Sequence, residues 1–482
     1  PTISKLFGTG TMTLNSGTLQ IIRIDGDGTT TAQTLSYGNN VVIGGDMTID
    51  AGRLGSTATN KTVAFGNLSI GANTLSIIGG NGYVVRFNTT TLTGNATFDV
   101  DAGASLTLNS AVAGGANSLT KSGEGLLTTQ GGAFGDLNIT AGQMDLFVTT
   151  TSGNVTVSGS GIFTTHSSDN WTMTSLAYNS NGTSNFTALS GDSTYTIGAG
   201  GFSMSDGTIL FNTTTTAGIN AKMVLQGNAT ITGTSSFTVN GSGNKLLDLG
   251  AGTRTFNVSS GATFSVAPVI QNGGLTKTGA GVMVVTAANT YAGGTLISQG
   301  TFLASNTAGS ATGTGQVTVS GGTLSGAGII GPTGANNVLV NGTGNINPGV
   351  AIGDRTGTLT VTSDLVMDAS AGSTPTISME IEGKSAGQFD RIAGINNFAM
   401  DGVINVSFIN GFRGSSLVAG DSFDLFDWST VDATNFNTGS DLTLPNISSF
   451  GLAWDTSHFL DSGTGGGVIS VVSSTPEPSR GL

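Results

Sequence analysis

Two histidines, four glutamates and no cysteine leave this 482-residue chain few groups for acid–base or metal chemistry. His166 stands in Thr165-His166-Ser167-Ser168-Asp169, which holds the residue types of a nucleophile, a base and an orienting acid. Neighbours along a strand point to opposite faces, so such a set has to be assembled by geometry and not by adjacency. The spacing therefore predicts no triad there. His458 follows Trp454-Asp455 and is the second histidine, so a two-histidine metal site would have to join distant regions. Asp25-Gly26-Asp27-Gly28 offers oxygen ligands for Ca²⁺, but no Glu completes a calcium loop, and Asp-Gly pairs favour turns. Asp390-Arg391 with Asp421, Asp424 and Asp427 reads as an internal ion pair or a cation site, against the plainer alternative of surface and turn residues. Gly313-Thr314-Gly315 opens no helix, which a phosphate cradle requires. The expectation is no catalytic, metal or cofactor-binding residue, and no cofactor.

The elements that carry these groups are strands. Of 28 acidic residues 24 are Asp, and a short acidic side chain suits turns where Glu suits helices. There are 78 glycines, and no proline falls between Pro1 and Pro268. Proline removes a ladder hydrogen bond, so a long proline-free stretch fits continuous strand pairing. A hydrophobic content of 37% excludes a disordered tract. The net charge is −13, with 15 acidic and 5 basic residues in 351–482. Nothing clusters Lys and Arg, so nucleic acid is not an expected partner. No stretch reaches the roughly 20 apolar residues of a membrane span. The chain opens on Pro1 without a basic-then-apolar leader and reads as processed or truncated.

Up to residue 345 the pattern is one of short strands between Gly, Asn and Ser turns, such as Thr11–Leu14, Leu19–Ile22, Val41–Ile43, Leu68–Ile70 and Leu75–Ile78. Apolar residues alternate within each run, which turns one face inward. Turn signals every eight to twelve residues suit a sandwich, a barrel or a solenoid alike. Length and self-similarity favour the solenoid. Thr97-Phe98-Asp99-Val100, followed by Leu119-Thr120-Lys121-Ser122-Gly123, returns as Thr255-Phe256-Asn257-Val258 followed by Leu275-Thr276-Lys277-Thr278-Gly279. Stacked coils of about 20–22 residues account for such a repeat. The fold expected is all-β: a right-handed parallel β-solenoid (β-helix) over 1–345, then a C-terminal β cap or sandwich over 346–474. Residues 475–482 form a tail.

Gly274-Leu275-Thr276-Lys277-Thr278-Gly279-Ala280-Gly281, continuing through Asn289-Thr290-Tyr291-Ala292-Gly293-Gly294-Thr295 to Phe302, resembles the autotransporter-associated β-strand repeat. The motif is carried by Leu275, Thr276, Lys277, Gly279, Gly281, Asn289, Tyr291, Gly293 and Gly294. Residues 119–146 resemble a degenerate copy that keeps Leu-Thr-Lys-Ser-Gly and lacks Asn-Thr-Tyr. The tail Pro476-Glu477-Pro478-Ser479-Arg480 is similar to the PEP-CTERM sorting signal, though without the apolar helix and basic cluster of that family. Together these resemblances imply an exported bacterial protein, extracellular or at the cell surface, whose precursor is cut by an exosortase-type sorting protease.

The function expected is structural and non-enzymatic: a subunit of the cell surface or extracellular matrix that assembles with its own copies, head to tail, into a filament or sheath. An adhesin that binds polysaccharide or surfaces is the alternative, and a carbohydrate-active β-helix enzyme the third reading. A ladder of exposed aromatics would favour the adhesin, and two carboxylates facing across a groove would favour the enzyme.

Overall fold

The computed structural model describes residues 7–23, 32–53, 59–147, 149–166, 168, 170–213, 218–349, 356–370, 372–463 and 465–474. Strands hold 55% of the chain and helix 1%, which agrees with the expected all-β class. The chain divides into two compact units, Pro1–Ala229 with Thr234–Leu247, and Thr230–Gly233 with Asp248–Leu482. Both are built of parallel β-solenoid coils.

In the first unit each coil places strands in three parallel ladders. Val41–Ile43, Leu68–Ile70 and Thr90–Leu92 lie side by side in one ladder. Met47–Arg53, Thr74–Gly79 and Ala96–Val100 make the second, and Lys61–Ala64, Val84–Phe87 and Ser105–Leu108 the third. Leu68 faces Thr90 and Thr90 faces Val112, each a step of 22 residues; Gly132 to Thr150 takes 18 and Tyr195 to Met223 takes 28. The expected coil length of about 20–22 residues is met by the steps from Leu68 to Val112, and other coils are shorter or longer.

Alternation puts Leu75, Ile77, Phe98, Val100, Leu137, Ile139, Val155 and Val157 in sealed inward columns. Each such side chain contributes roughly 1.5–3 kcal/mol by leaving water. Tyr37, Phe65 and Phe87 stack from coil to coil with ring centroids 5.7 and 5.3 Å apart. At the turns, short acids bond to the backbone of the next coil. Asp46 accepts from the Thr74 N–H at 2.8 Å, and Asp206 from Thr234 at 3.2 Å. Asp192 accepts from the N–H and the side-chain amide of Asn220, and these bonds hold its carboxyl below the ordinary value. A longer Glu would overshoot such a contact, which gives the Asp excess its structural reason.

The second unit repeats this pairing. Gly274–Thr278 lies between Thr253–Val258 and Thr295–Ile297, and Val282–Val285 between Thr263–Val266 and Thr301–Ala304. Parallel pairing does not stop at residue 345. Asn345–Pro348 pairs with Thr376–Ile381, that strand with Val403–Phe408, and that one with Leu442–Thr443. The shift in composition near residue 350 leaves the inward alternation intact, since Ile377, Met379 and Ile381 are fully buried. The change of architecture comes later. Ser422–Asp424, Val468–Ser473 and Leu452–Asp455 form a three-stranded antiparallel sheet. Phe459 packs on Phe426 and Trp428, with centroids 5.9 and 6.1 Å away. Gly414–Ser416 and Ser448–Phe450 are short 3-10 turns. No helix among the described residues is long and apolar enough to cross a membrane.

Candidate functional site

The residues with the most unusual surroundings belong to the segment that opens at Leu275. Leu275 and Lys277 both occupy inward positions, and Lys277 lies in register between Phe256 and Ile297. Its side chain is fully buried, yet its ammonium is not in an apolar void. Lys277 Nζ donates to the carbonyls of Thr278 at 2.8 Å, Gly279 at 2.7 Å and Gln299 at 3.2 Å. The first two close its own turn, and the third belongs to the following coil. Burial lowers Lys277 to about 8. The turn needs glycine, because a Cβ on Gly279 would lie 2.3 Å from the Val258 oxygen and on Gly281 2.2 Å from that of Ser259.

Asn289 makes the same kind of bridge in both directions. Its Oδ1 accepts from Ile270 N–H at 2.7 Å, and its Nδ2 donates to the Ala311 carbonyl at 2.6 Å. Tyr291 is completely buried, with its hydroxyl 2.6 Å from Thr295 Oγ1, which donates to the Thr312 carbonyl at 3.1 Å. Burial pushes the Tyr291 phenol up. Gly293 packs against Gly273, whose oxygen would lie 2.5 Å from an added Cβ, and Gly294 has φ of 86°. Thr276 alternates outward. Lys277, Asn289 and Thr295 thus bond their own coil to a neighbour, and Tyr291 joins in through Thr295.

Residues 275–304 match the passenger-associated-transport-repeat. This repeat is autotransporter-associated, and together with the β-solenoid fold it fits an autotransporter passenger domain. It also suggests an exported surface protein. No curated protein matches the chain.

The segment at residues 119–146, similar in sequence, keeps the lysine device. Lys121 is fully buried and donates to Ser122, Gly123 and Ala141 carbonyls at 2.8, 2.6 and 3.1 Å. Burial lowers it to about 8 as well, against the pull of Asp99 and Glu124. The Asn and Tyr bridges of 275–304 have no counterpart in the sequence of that segment. Lys245 closes a similar turn, donating to Gly241 and Gly243 carbonyls at 2.7 and 2.6 Å. The signal for buried lysines was present in the period-two pattern, which sends Lys277 to the same side as Leu275.

The remaining residues of interest are dispersed. His166 stacks on Phe147 with centroids 3.7 Å apart, and its Nε2 lies 3.4 Å from Asp145 Oδ2. His458 is exposed and pairs with Asp461 at 2.8 Å, which raises its pKa. His166 belongs to the first unit and His458 to the second. Asp25, Asp27, Ser167, Asp169 and the tail motif Pro476, Glu477, Pro478, Ser479 and Arg480 fall outside the described residues. Gly313 and Thr314 form a coil turn, with Thr314 N–H donating to the Tyr291 carbonyl at 2.8 Å.

Of the C-terminal charges, Arg391 pairs with Asp424 at 2.8 Å, with Asp427 at 3.9 Å, and Lys384 with Asp421 at 3.2 Å. These residues form ion pairs. Asp390 behaves differently from its neighbour. It is fully buried and accepts from Gly357 N–H at 2.8 Å and Glu380 N–H at 2.9 Å. Burial, aided by Glu380 and Glu382, pushes its carboxyl up to about 8. Its burial was not legible in the sequence, because the Gly357 contact spans 33 residues.

Proposed function

We propose that this chain is a non-enzymatic structural protein of the cell surface or extracellular matrix, which assembles with its own copies head to tail into a filament or sheath. The observation that carries the reading is the use made of the repeat's reactive side chains. Lys121, Lys277, Asn289 and Tyr291 are buried and bonded within or between coils, where they hold the ladder together. Groups so engaged serve mechanical cohesion. A ladder of sugar-stacking aromatics finds no support among the described residues: the five Tyr, Trp171 and Trp428 are buried, Trp454 is partly covered, and the exposed rings Phe7, Phe147 and Phe450 are scattered along the chain. Export and cutting of a precursor at Pro476–Arg480 by an exosortase-type protease belong to the same proposal.

Negative-stain imaging and light scattering on purified protein test the assembly. The expected result is rods many times longer than one chain. Protein that stays monomeric at high concentration and in native extracts would end the filament reading.

A further inference from the structure

Across the second unit, the turns of three successive coils enclose a groove of about 300 Å³. Its floor holds buried Pro332 and Ser363, and its rim carries Thr333, Thr362, Asp364 and Asn396. The backbone joins these turns: Thr362 N–H donates to the Ile330 carbonyl at 3.0 Å and Asn396 N–H to that of Ser363 at 3.0 Å. Asn336, also in the lining, fixes the first turn by donating to Thr314 and Thr333 carbonyls at 3.2 and 3.0 Å.

The rim differs from the turns described above. Asp46, Asp192 and Asp206 direct their carboxylates at the next coil. Thr362, Asp364 and Asn396 make no side-chain hydrogen bond among the described residues, and all three are exposed. A hydroxyl, a carboxylate and an amide thus converge on one groove with their bonding capacity unused inside the protein. The lining has no Lys or Arg to receive an anion, and the Asp364 carboxylate repels one. It has no aromatic or large aliphatic side chain to hold an apolar ligand. Among the described residues no group of three His, Cys, Asp or Glu gathers to hold a metal ion. The lining suits a neutral polyhydroxylated molecule, whose hydroxyls donate to Asp364 and accept from Asn396 and Thr362.

We propose that this groove binds a neutral saccharide, so that the second unit holds polysaccharide at its flank. Isothermal titration calorimetry on the full chain tests it, with cellotetraose, laminaritetraose and chitotetraose as neutral probes and trigalacturonate as the anionic one. At least one neutral probe is expected to bind, with trigalacturonate at least about tenfold weaker because of Asp364. Asp364→Ala and Asn396→Ala should each weaken binding about tenfold while the thermal unfolding midpoint stays unchanged. If either variant unfolds early, Thr362→Lys places a long side chain in the groove from an exposed position and should abolish binding. Failure of all three neutral probes, equal binding of trigalacturonate, or binding that survives these substitutions would overturn the site. Rod formation is read separately by imaging and does not depend on these residues, so the two proposals fail independently.

Discussion

Lys277 shows how a costly residue becomes a structural one. A buried ammonium is tolerated where several oxygens replace its water, and the carbonyls of Thr278, Gly279 and Gln299 do so. Lys277→Met keeps the length of the side chain but leaves those oxygens without a donor. Denaturant unfolding should show the second unit weakened by about 2–3 kcal/mol. The pH dependence has a definite sign. Burial lowers Lys277 to about 8 from the ordinary 10.5, so between these values the unfolded chain binds more protons. Stability should therefore rise as pH climbs through that window, and the rise should shrink in Lys277→Met. An undiminished rise would show that Lys277 is not the group involved. Asp390 acts in the opposite sense. Its carboxyl is raised from 3.8 to about 8, so stability present at acid pH is lost as pH rises through 8. Asp390→Asn should flatten that loss, measured as unfolding midpoints from pH 4 to pH 8.5.

At the scale of elements, the coil turns decide how closely ladders stack. Gly279 has φ of 72° and no room for a Cβ, while Gly261 has φ of 77° and nothing within 4 Å of one. Gly279→Ala combines backbone strain with a clash, so it should cost at least about 2 kcal/mol. Gly261→Ala meets strain alone and should cost about 1 kcal/mol. Equal losses in the two variants would remove the stacking argument. The strands themselves are local in origin. Val155 and Val157 in one run and Ile377 and Met379 in another reach the core by alternation, whichever coil they belong to. Their partners are not local, as the step from Gly132 to Thr150 is 18 residues and that from Tyr195 to Met223 is 28. Insertions are absorbed in turns at little cost to the ladder, and no spacing rule read from one coil predicts the next.

For the molecule as a whole, parallel ladders raise the question of assembly. Met12–Leu14 pairs in parallel with Val41–Ile43. Met12 and Leu14 are half-buried, whereas Val41 and Ile43 one coil further on are sealed. In the proposed assembly, a second copy stacked against Met12–Leu14 would complete that burial and pair with its backbone groups. Removing residues 1–36 should therefore leave soluble monomers under conditions where the intact chain forms long rods, as judged by light scattering and negative stain. Rods formed equally well by the shortened chain would place the contact elsewhere.

Strand content, the inward alternation and the coil repeat were determined by the sequence alone, because period-two patterning and turn chemistry act over a few residues. The Lys-Thr-Gly segment was likewise recognisable at 275–304, where the family match falls. Tertiary structure decided the rest. It set where the parallel pairing gives way to the antiparallel sheet: the sequence reading began a separate β unit at residue 346, whereas the ladders carry on to Leu442–Thr443. It also decided which carbonyls receive the inward Lys277 ammonium and that Asp390 is buried and bonded, while Asp364 and Asn396 are exposed. The physical reason is that each of these fates depends on a backbone group some 20 to 33 residues away, and only stacking of the coils brings that group within hydrogen-bonding reach.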